Sequence, residues 1–427
     1  MMAHTLLPIT NLDRLEQISG KERVALSEVS QHHAFLSNDY YLSLISWHDP
    51  EDPIRRLIIP DLREQSQWGQ EDPSDEGFFT PMQGVQHKYD NTVLFLISNQ
   101  CAGICRYCFR KRIFHTRHNE SLHDLDAAIA YVKNHREVSN VLLTGGDPLM
   151  LPTRRLDDIL TRLRQIDHVS VIRIGSKVPA FMPQRISNDL DLLAIFRHHS
   201  TASKRLYIMT HFTHPRELTS EADTALGCLN DSGVLLANQS PLIRGVNDHA
   251  ATLTELFKRL AAVGSPQYYL LQCRPVRGNH HLVVPIEEGM AIFEQAKSRC
   301  SGLEKRGRYV MSHTTGKIEI VGLLEKQVIL KYWQAVRRID RGRVMIVPKN
   351  PLALWLEDYL HPQASGPEEI GASQPDGVLE GMMSYHTDSR NTNLICPGMK
   401  KKQRQSGNGG STFQRLPVLV HLELIVK

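Results

Sequence analysis

Residues 93–112 read VLFLISNQCAGICRYCFRKR: a short apolar run, then three cysteines within eight residues, then a basic string. The run is too short for an ordinary helix and carries the Val and Ile that suit a pleated surface, so it predicts a buried strand. Similar runs recur at VLLTG (141–145), VIRIGS (171–176), LYIMTH (206–211), VLLANQS (234–240) and YYLLQC (268–273). Between them lie helical patterns such as LHDLDAAIAYVKNH, RRLDDILTRLRQI, SNDLDLLAIFRHH and ATLTELFKRLAAV. This alternation predicts parallel strands joined by right-handed crossovers, hence an α/β fold with an open sheet or partial barrel. Ligands of such sheets bind outside the carboxyl ends of the strands, which is where the three cysteines fall.

The flanks read differently. Residues 1–88 form a helical and irregular extension, in which LDRLEQISG and VALSEVSQHHAFLS each suit a short amphipathic helix and EDPSDEGFFTPMQG a loop. The barrel is expected over 89–325, a helix and strand extension containing RVMIVP over 326–360, and a disordered tail over 361–427, rich in Gly, Ser, Pro, Asn and Gln. In 427 residues, 41% hydrophobic and 22% charged exclude wholesale disorder. A net charge of +4 is too weak to argue for nucleic acid or a membrane surface. The longest apolar run, Val93 to Ser98, falls far short of the roughly 20 residues that span a bilayer. The first residues lack a secretory apolar core, so a soluble, cytoplasmic protein is expected.

Seven cysteines, an odd count, do not make a disulfide scaffold. Cys228, Cys273, Cys300 and Cys396 stand singly and read as small buried or partly buried thiols. Cys101, Cys105 and Cys108 have the spacing C-x3-C-x2-C, which lets three thiolates ligate three irons of a 4Fe-4S cluster from one tight loop. The fourth iron then stays open to a chelating small molecule. Structural zinc is the rival, but it needs a fourth ligand, His115 or a distant cysteine.

Several segments together resemble the radical S-adenosylmethionine (SAM) enzymes, and more narrowly the lysine 2,3-aminomutase family. DPIRRLIIPD, HKYDNTVLFLIS, LLTGGDPLM, RIGSKVPAFMPQRI, THFTHPRELT, NQSPLIRGVND and YYLLQC follow that family's order between about Tyr41 and Gly322. The resemblance implies a partial (β/α)6 barrel and a cluster on Cys101, Cys105 and Cys108 that cleaves SAM to a 5′-deoxyadenosyl radical. It implies that Gly145, Gly146 and Asp147 hold the amino group of SAM, with Gln239 and His211 lining the same site. On composition alone, GGD is a turn and a strand-end His is structural.

The resemblance also implies pyridoxal 5′-phosphate (PLP) on Lys317, which follows Gly316 in RYVMSHTTGKIEI. Here the family's run of glycines has become His313-Thr314-Thr315-Gly316. Lys88, beside Tyr89, falls where the family places a phosphate ligand, and Arg110 matches the arginine that grips the substrate α-carboxylate. Lys111 reads as part of a solvated face. The implied activity is that of an isomerase, a radical SAM, PLP-dependent amino-acid 2,3-aminomutase that moves an amino group within its substrate. Its expected partners are a small amino acid and an electron donor such as a flavodoxin or ferredoxin, with a homo-oligomer compatible and no nucleic acid or membrane.

Two departures bear on the substrate. Lysine aminomutases neutralise the distal ammonium with two aspartates, but this chain has Arg274 after Cys273 and Val310 seven residues before Lys317. The expectation is a substrate other than free lysine, with glutamate first and a polar neutral amino acid second; Arg277 shares Arg274's role if the register slips by a residue. The family's zinc-binding cysteines have no counterpart, and His249 stands where a partner-chain cysteine is supplied, so no structural zinc is expected and the intertwined oligomer loses its ground. Two alternatives are a lysine aminomutase-like enzyme making β-lysine or serving translation-factor modification, and a non-catalytic iron–sulfur or zinc-binding protein.

Overall fold

The computed structural model describes residues 8–114 and 120–361. His115, Cys396 and the expected tail beyond His361 lie outside the described residues. A short pairing joins β1 (Pro8–Ile9) to β2 (Ser37–Asn38). All other strands form one sheet. β3 (Val85–Tyr89) lies antiparallel to β4 (Thr92–Ser98). From β4 the sheet runs parallel through β5 (Asn140–Gly145), β6 (Val171–Ser176), β7 (Leu206–Thr210), β8 (Leu235–Leu242) and β9 (Gln267–Gln272). A helix of at least ten residues follows each of β4 to β9, which gives the six βα units expected. The spatial order follows the chain order, and the sheet is open, with β3 at one edge.

The helices form for local reasons. Asp124, Asp189 and Thr219 each accept a backbone N–H at the N-terminus of the helix that follows. In the helix Thr153–Arg164, Leu156, Ile159, Leu160 and Leu163 make one buried stripe against the sheet. Each such side chain contributes about 1.5–3 kcal/mol by leaving water. Among the described residues no helix is long and apolar enough to cross a membrane.

The sheet continues past residue 325. β10 (Arg308–His313) runs parallel to β9, and β11 (Gly316–Leu323), β12 (Gln327–Ala335) and β13 (Val344–Pro348) follow antiparallel. The segment expected as a helix and strand extension holds β12, with Tyr332 and Trp333 inside it, β13 over the RVMIVP run, and a short helix at Glu357–Leu360. A second apolar cluster, with Phe257, Phe293, Tyr309, Ile318 and Leu330, lies under these strands.

The N-terminal extension does two jobs. Its one long helix is Gly20–His32, capped by Ser19, whereas LDRLEQISG yields only a 3-10 turn at Leu12–Arg14. Its backbone and side chains hold the cysteine loop: Ile104 N to Leu36 O is 2.9 Å, Arg106 N to Leu57 O 3.0 Å and Asn38 Nδ2 to Ala102 O 3.1 Å. Residues 70–90 then bridge from the β3 side of the sheet to its C-terminal strands. Gln70 N donates to Pro275 O at 2.9 Å and Arg274 Nη1 to Ser74 Oγ at 2.6 Å. Farther along, Lys88 Nζ donates to His313 O at 2.7 Å and Asp90 pairs with Arg341 at 2.7 Å.

Candidate active site

The cysteine loop leaves the C-terminal end of β4 and turns at once, with Cys108 N donating to Cys105 O at 3.0 Å. The GGD turn at the end of β5 packs onto it, Gly146 N on Ser98 O and Asp147 N on Gln100 O, both at 2.6 Å. A Cβ at Gly145 would stand 2.3 Å from Ser98 O, and one at Gly146 2.4 Å from Gln100 O. The glycines thus let two backbones touch, the turn against the loop.

Asp147 is buried at this turn. Its carboxylate accepts from Leu149 N (3.0 Å), Ser176 Oγ (3.0 Å), Lys177 N (2.7 Å) and Val178 N (3.1 Å). Three of these bonds fall on Oδ2 and one on Oδ1, and together they fix the turn and the end of β6.

The three thiols are free. Burial pushes the Cys101 thiol far up, with Asp147, Cys108 and Cys105 adding to it. Burial also raises Cys105, to about 12, against the opposing Lys177 ammonium, and raises Cys108 against Arg110 and Lys111. Three thiols that disfavour one another's ionisation need a cationic centre to become thiolates together, which the irons of a cluster supply. Among the described residues no three His, Cys, Asp or Glu side chains converge on a single ion. Three thiols on one tight loop can each serve a separate iron, so this donor set fits a cluster.

Behind the loop, Arg106 is fully buried and bidentate to Glu64, Nε–Oε1 2.8 Å and Nη2–Oε2 2.7 Å. Lys111 joins them 3.6 Å from Glu64 Oε2. The expectation of a solvated Lys111 is therefore wrong: its partner comes from the N-terminal extension, 47 residues earlier by number. Burial pushes the Lys111 ammonium down, opposed by Glu64. Glu64→Leu leaves two buried cations without a counter-charge, and we expect it to lower stability by about 3–5 kcal/mol in urea unfolding. A change below about 1 kcal/mol would contradict this account of the loop.

His211, after β7, faces the loop from the other side. Its Nε2 lies 3.0 Å from Tyr107 Oη, with the rings stacked at 5.6 Å. Burial and the Lys177 ammonium keep its imidazole neutral. Lys177 Nζ pairs with the buried Glu217 at 2.6 Å. Gln239 lies half-buried on β8, in register with Tyr269 of β9.

A second group of side chains surrounds Lys317. Lys317, in register with Ser312 across the β10–β11 hairpin, holds its Nζ 4.4 Å from the centre of the Tyr269 ring. Burial, then Arg173, Arg274 and Lys88, bring its ammonium down to about 7. Lys88 is likewise brought to about 7, by burial and then Arg274. Arg274 is brought to about 10, mainly by burial. Its Cζ lies 3.7 Å from the centre of the Phe109 ring, and its fork bonds only the neutral Ser74 and Ser312 hydroxyls, at 2.6 and 2.9 Å. Among the described residues none of Lys88, Arg173, Arg274 and Lys317 has a carboxylate partner, so these four cations stand without a direct counter-ion, with Glu76 the acid acting most on Arg274 and Lys88. A phosphorylated aldehyde fits both needs, a dianion for the cations and a carbonyl for a neutral amine.

Arg110 differs. Its guanidinium is held by Glu76, with Nη2–Oε1 at 2.6 Å, and its Cζ lies 4.6 Å from the same Phe109 ring. Burial would raise the Glu76 carboxyl, but Arg110 and Arg112 outweigh it and hold it at about 2. Arg277 pairs with Glu71 at the surface, whereas Arg274 stands beside Lys88 and Lys317. Sequence reasoning missed Glu76, Ser74, Ser312 and Arg173. Of these Arg173 was findable, because a charged residue inside the apolar strand VIRIGS is costly without a role.

The model of the radical SAM superfamily matches residues 95–219, which hold the three cysteines, the GGD turn and His211. The chain is 39% identical over 298 residues to the L-lysine 2,3-aminomutase of Clostridium subterminale, covering 69% of this chain and 70% of that one. The chain belongs to the lysine 2,3-aminomutase family of radical SAM enzymes. It is also 44% identical over 359 residues to an Aquifex aeolicus protein named "Putative L-lysine 2,3-aminomutase", covering 84% of this chain and 96% of that one. The glutamate 2,3-aminomutase of Clostridioides difficile is 32% identical over 300 residues, covering 69% of this chain and 70% of that one. Radical SAM aminomutases are isomerases that act on small molecules, so the non-catalytic alternative falls away. Membership brings a 4Fe-4S cluster and SAM, and lysine 2,3-aminomutases are PLP enzymes.

Proposed function

We propose that this enzyme is a PLP-dependent amino-acid 2,3-aminomutase whose substrate carries an anionic or acceptor-bearing side chain. The observation that carries the reading is Arg274, a half-buried cation whose fork meets only hydroxyls among the described residues. When bound, the cluster and SAM supply hydrogen-atom abstraction, and PLP carries the migrating amino group. Cys101, Cys105 and Cys108 hold the cluster, and the Gly145–Gly146 backbone, His211 and Gln239 border the space for SAM. Asp147 positions that turn. Lys317 receives the PLP aldehyde, and Lys88 faces its phosphate. Arg110 orients the α-carboxylate and Arg274 the distal group, while Phe109 separates the two arginines. The strap over residues 70–79 excludes water. A reduced flavodoxin or ferredoxin supplies the electron, and the enzyme works in the cytoplasm.

An ammonium about 4 Å from Arg274 would cost about 4 kcal/mol at an effective dielectric of about 20, roughly a thousandfold in binding. Val310, fully buried on the same face of β10 as Ser312, offers no compensating charge. The test is an anaerobic assay of the twenty amino acids with SAM, PLP and a reductant. We expect L-glutamate or a polar neutral amino acid to give the β-isomer with the highest kcat/KM, and Arg274→Asp to move preference toward lysine. Lysine as the best substrate of the wild type would overturn the charge argument.

A further inference from the structure

Arg110 is not free to receive a carboxylate as it stands. Its Nε lies 3.0 Å from both carboxylate oxygens of Glu76 and its Nη2 2.6 Å from Oε1. Nη2 also reaches Gln86 Oε1 and Nη1 reaches Thr144 Oγ1, each at 3.3 Å. A guanidinium has five N–H donors, so one remains. Glu76 is itself buried, and its Oε2 takes a second arginine, Arg112, at 2.6 Å.

Glu76 rides on a short strap that touches both Arg110 and Arg274. Asp72 holds the strap's shape by accepting from Ser74 N (3.3 Å), Glu76 N (2.7 Å) and Gly77 N (3.3 Å). Ser74 meets Arg274, Glu76 meets Arg110, and between them Asp75 adopts a left-handed φ of 50°, unusual for a residue with a side chain. Asp75 and Gly77 are exposed on either side of the buried Glu76.

We propose that Glu76 is a resident stand-in for the substrate's α-carboxylate, displaced from Arg110 by an incoming free amino acid as the strap lifts. The proposal rests on the reading of Arg110 as the α-carboxylate ligand. The exchange is balanced in charge. The departing carboxylate keeps Arg112, which Glu120 also holds at 2.7 Å, and the arriving carboxylate takes over Arg110. Without Glu76, Arg110 would be a buried cation with no counter-charge before substrate arrives, a costly state. The stand-in also selects. An amino acid whose carboxyl is tied up as an amide, an ester or a peptide bond carries no charge to compete with Glu76. The site therefore takes free amino acids and rejects peptide-bound residues, whatever the side chain.

The test uses holoenzyme with cluster and PLP but no SAM, so that nothing turns over. Each of the twenty L-amino acids, and the α-amide of each one that binds, is titrated in. Binding is read from the pyridoxal absorbance, and strap opening from hydrogen exchange of peptides covering residues 69–79. We expect the acid that binds to raise exchange in that segment about tenfold or more, and its α-amide to do neither. Glu76→Gln should raise the same exchange without ligand and lower the half-saturating concentration of the acid about tenfold. An acid that binds while the segment stays protected, or an α-amide that binds as well as its acid, overturns the proposal; both arms use the wild type and need no variant to fold. Arg110→Lys separates the two levels. If it binds the acid as tightly as wild type, the reading of Arg110 fails. If it loses binding while the wild-type strap stays protected, only the stand-in fails.

Discussion

Replacing Cys101, Cys105 or Cys108 by alanine is expected to leave a folded chain that holds no complete cluster and releases 5′-deoxyadenosine at least about a thousandfold more slowly. The fold should survive because the loop is anchored by other groups, Arg106 on Glu64 and Asn38 on the Ala102 carbonyl. The cluster should not, because each sulfur serves one iron and the loop has no spare donor in that position. Iron per chain after anaerobic reconstitution, with the 5′-deoxyadenosine released from SAM, reads both halves. A single-alanine variant that cleaves SAM at the wild-type rate would end the assignment. Zinc bound in place of iron by the reconstituted wild type would revive the rival metal.

The second large effect concerns Lys317. Lys317→Ala should bind PLP only weakly and lose aminomutase turnover by about three orders of magnitude or more, while still cleaving SAM slowly. In the wild type, borohydride reduction and peptide mapping should place the pyridoxyl label on Lys317. The pH dependence follows from its surroundings. Burial and three cations bring the ammonium to about 7, and only the neutral amine attacks an aldehyde. The rate of PLP attachment to the apoenzyme should rise about tenfold per pH unit below about 7 and level off above it. A rate still climbing at about pH 9, as for an ordinary lysine of pKa near 10.4, would contradict that environment.

Much of this was legible in the chain. β4 to β9 announce themselves because buried parallel strands are almost wholly apolar, and the helices between them carry their own caps and stripes. The cysteine loop was legible because its chemistry is encoded in local spacing. Pairing across distance was not. Lys111 looked solvated within FRKR, yet its partner Glu64 sits in another part of the chain. Glu76 sat in an acid-rich stretch indistinguishable from an ordinary loop, and only its contact with Arg110 marks it out. The protein donors of Asp147 were equally hidden, since three of the four come from Ser176, Lys177 and Val178, 29 to 31 residues on. β12 was obscured because it mixes Lys, Tyr, Trp and Gln, which suit a half-exposed antiparallel strand but show no clear period, whereas β13 was legible as RVMIVP.

The bridge from residues 70–90 to the far strands has a consequence for how the enzyme is assembled on the ribosome. Ser74 and Arg274 are 200 residues apart in the chain, Lys88 and His313 225, and Asp90 and Arg341 251. At about 5–20 residues per second of synthesis, the first member of each pair waits about ten seconds or more for its partner. Throughout that interval the flank beside the cysteine loop has nothing to close it. The contacts that pin residues 70–90 therefore form last, after β9, β10 and the residues that follow β12 have been made.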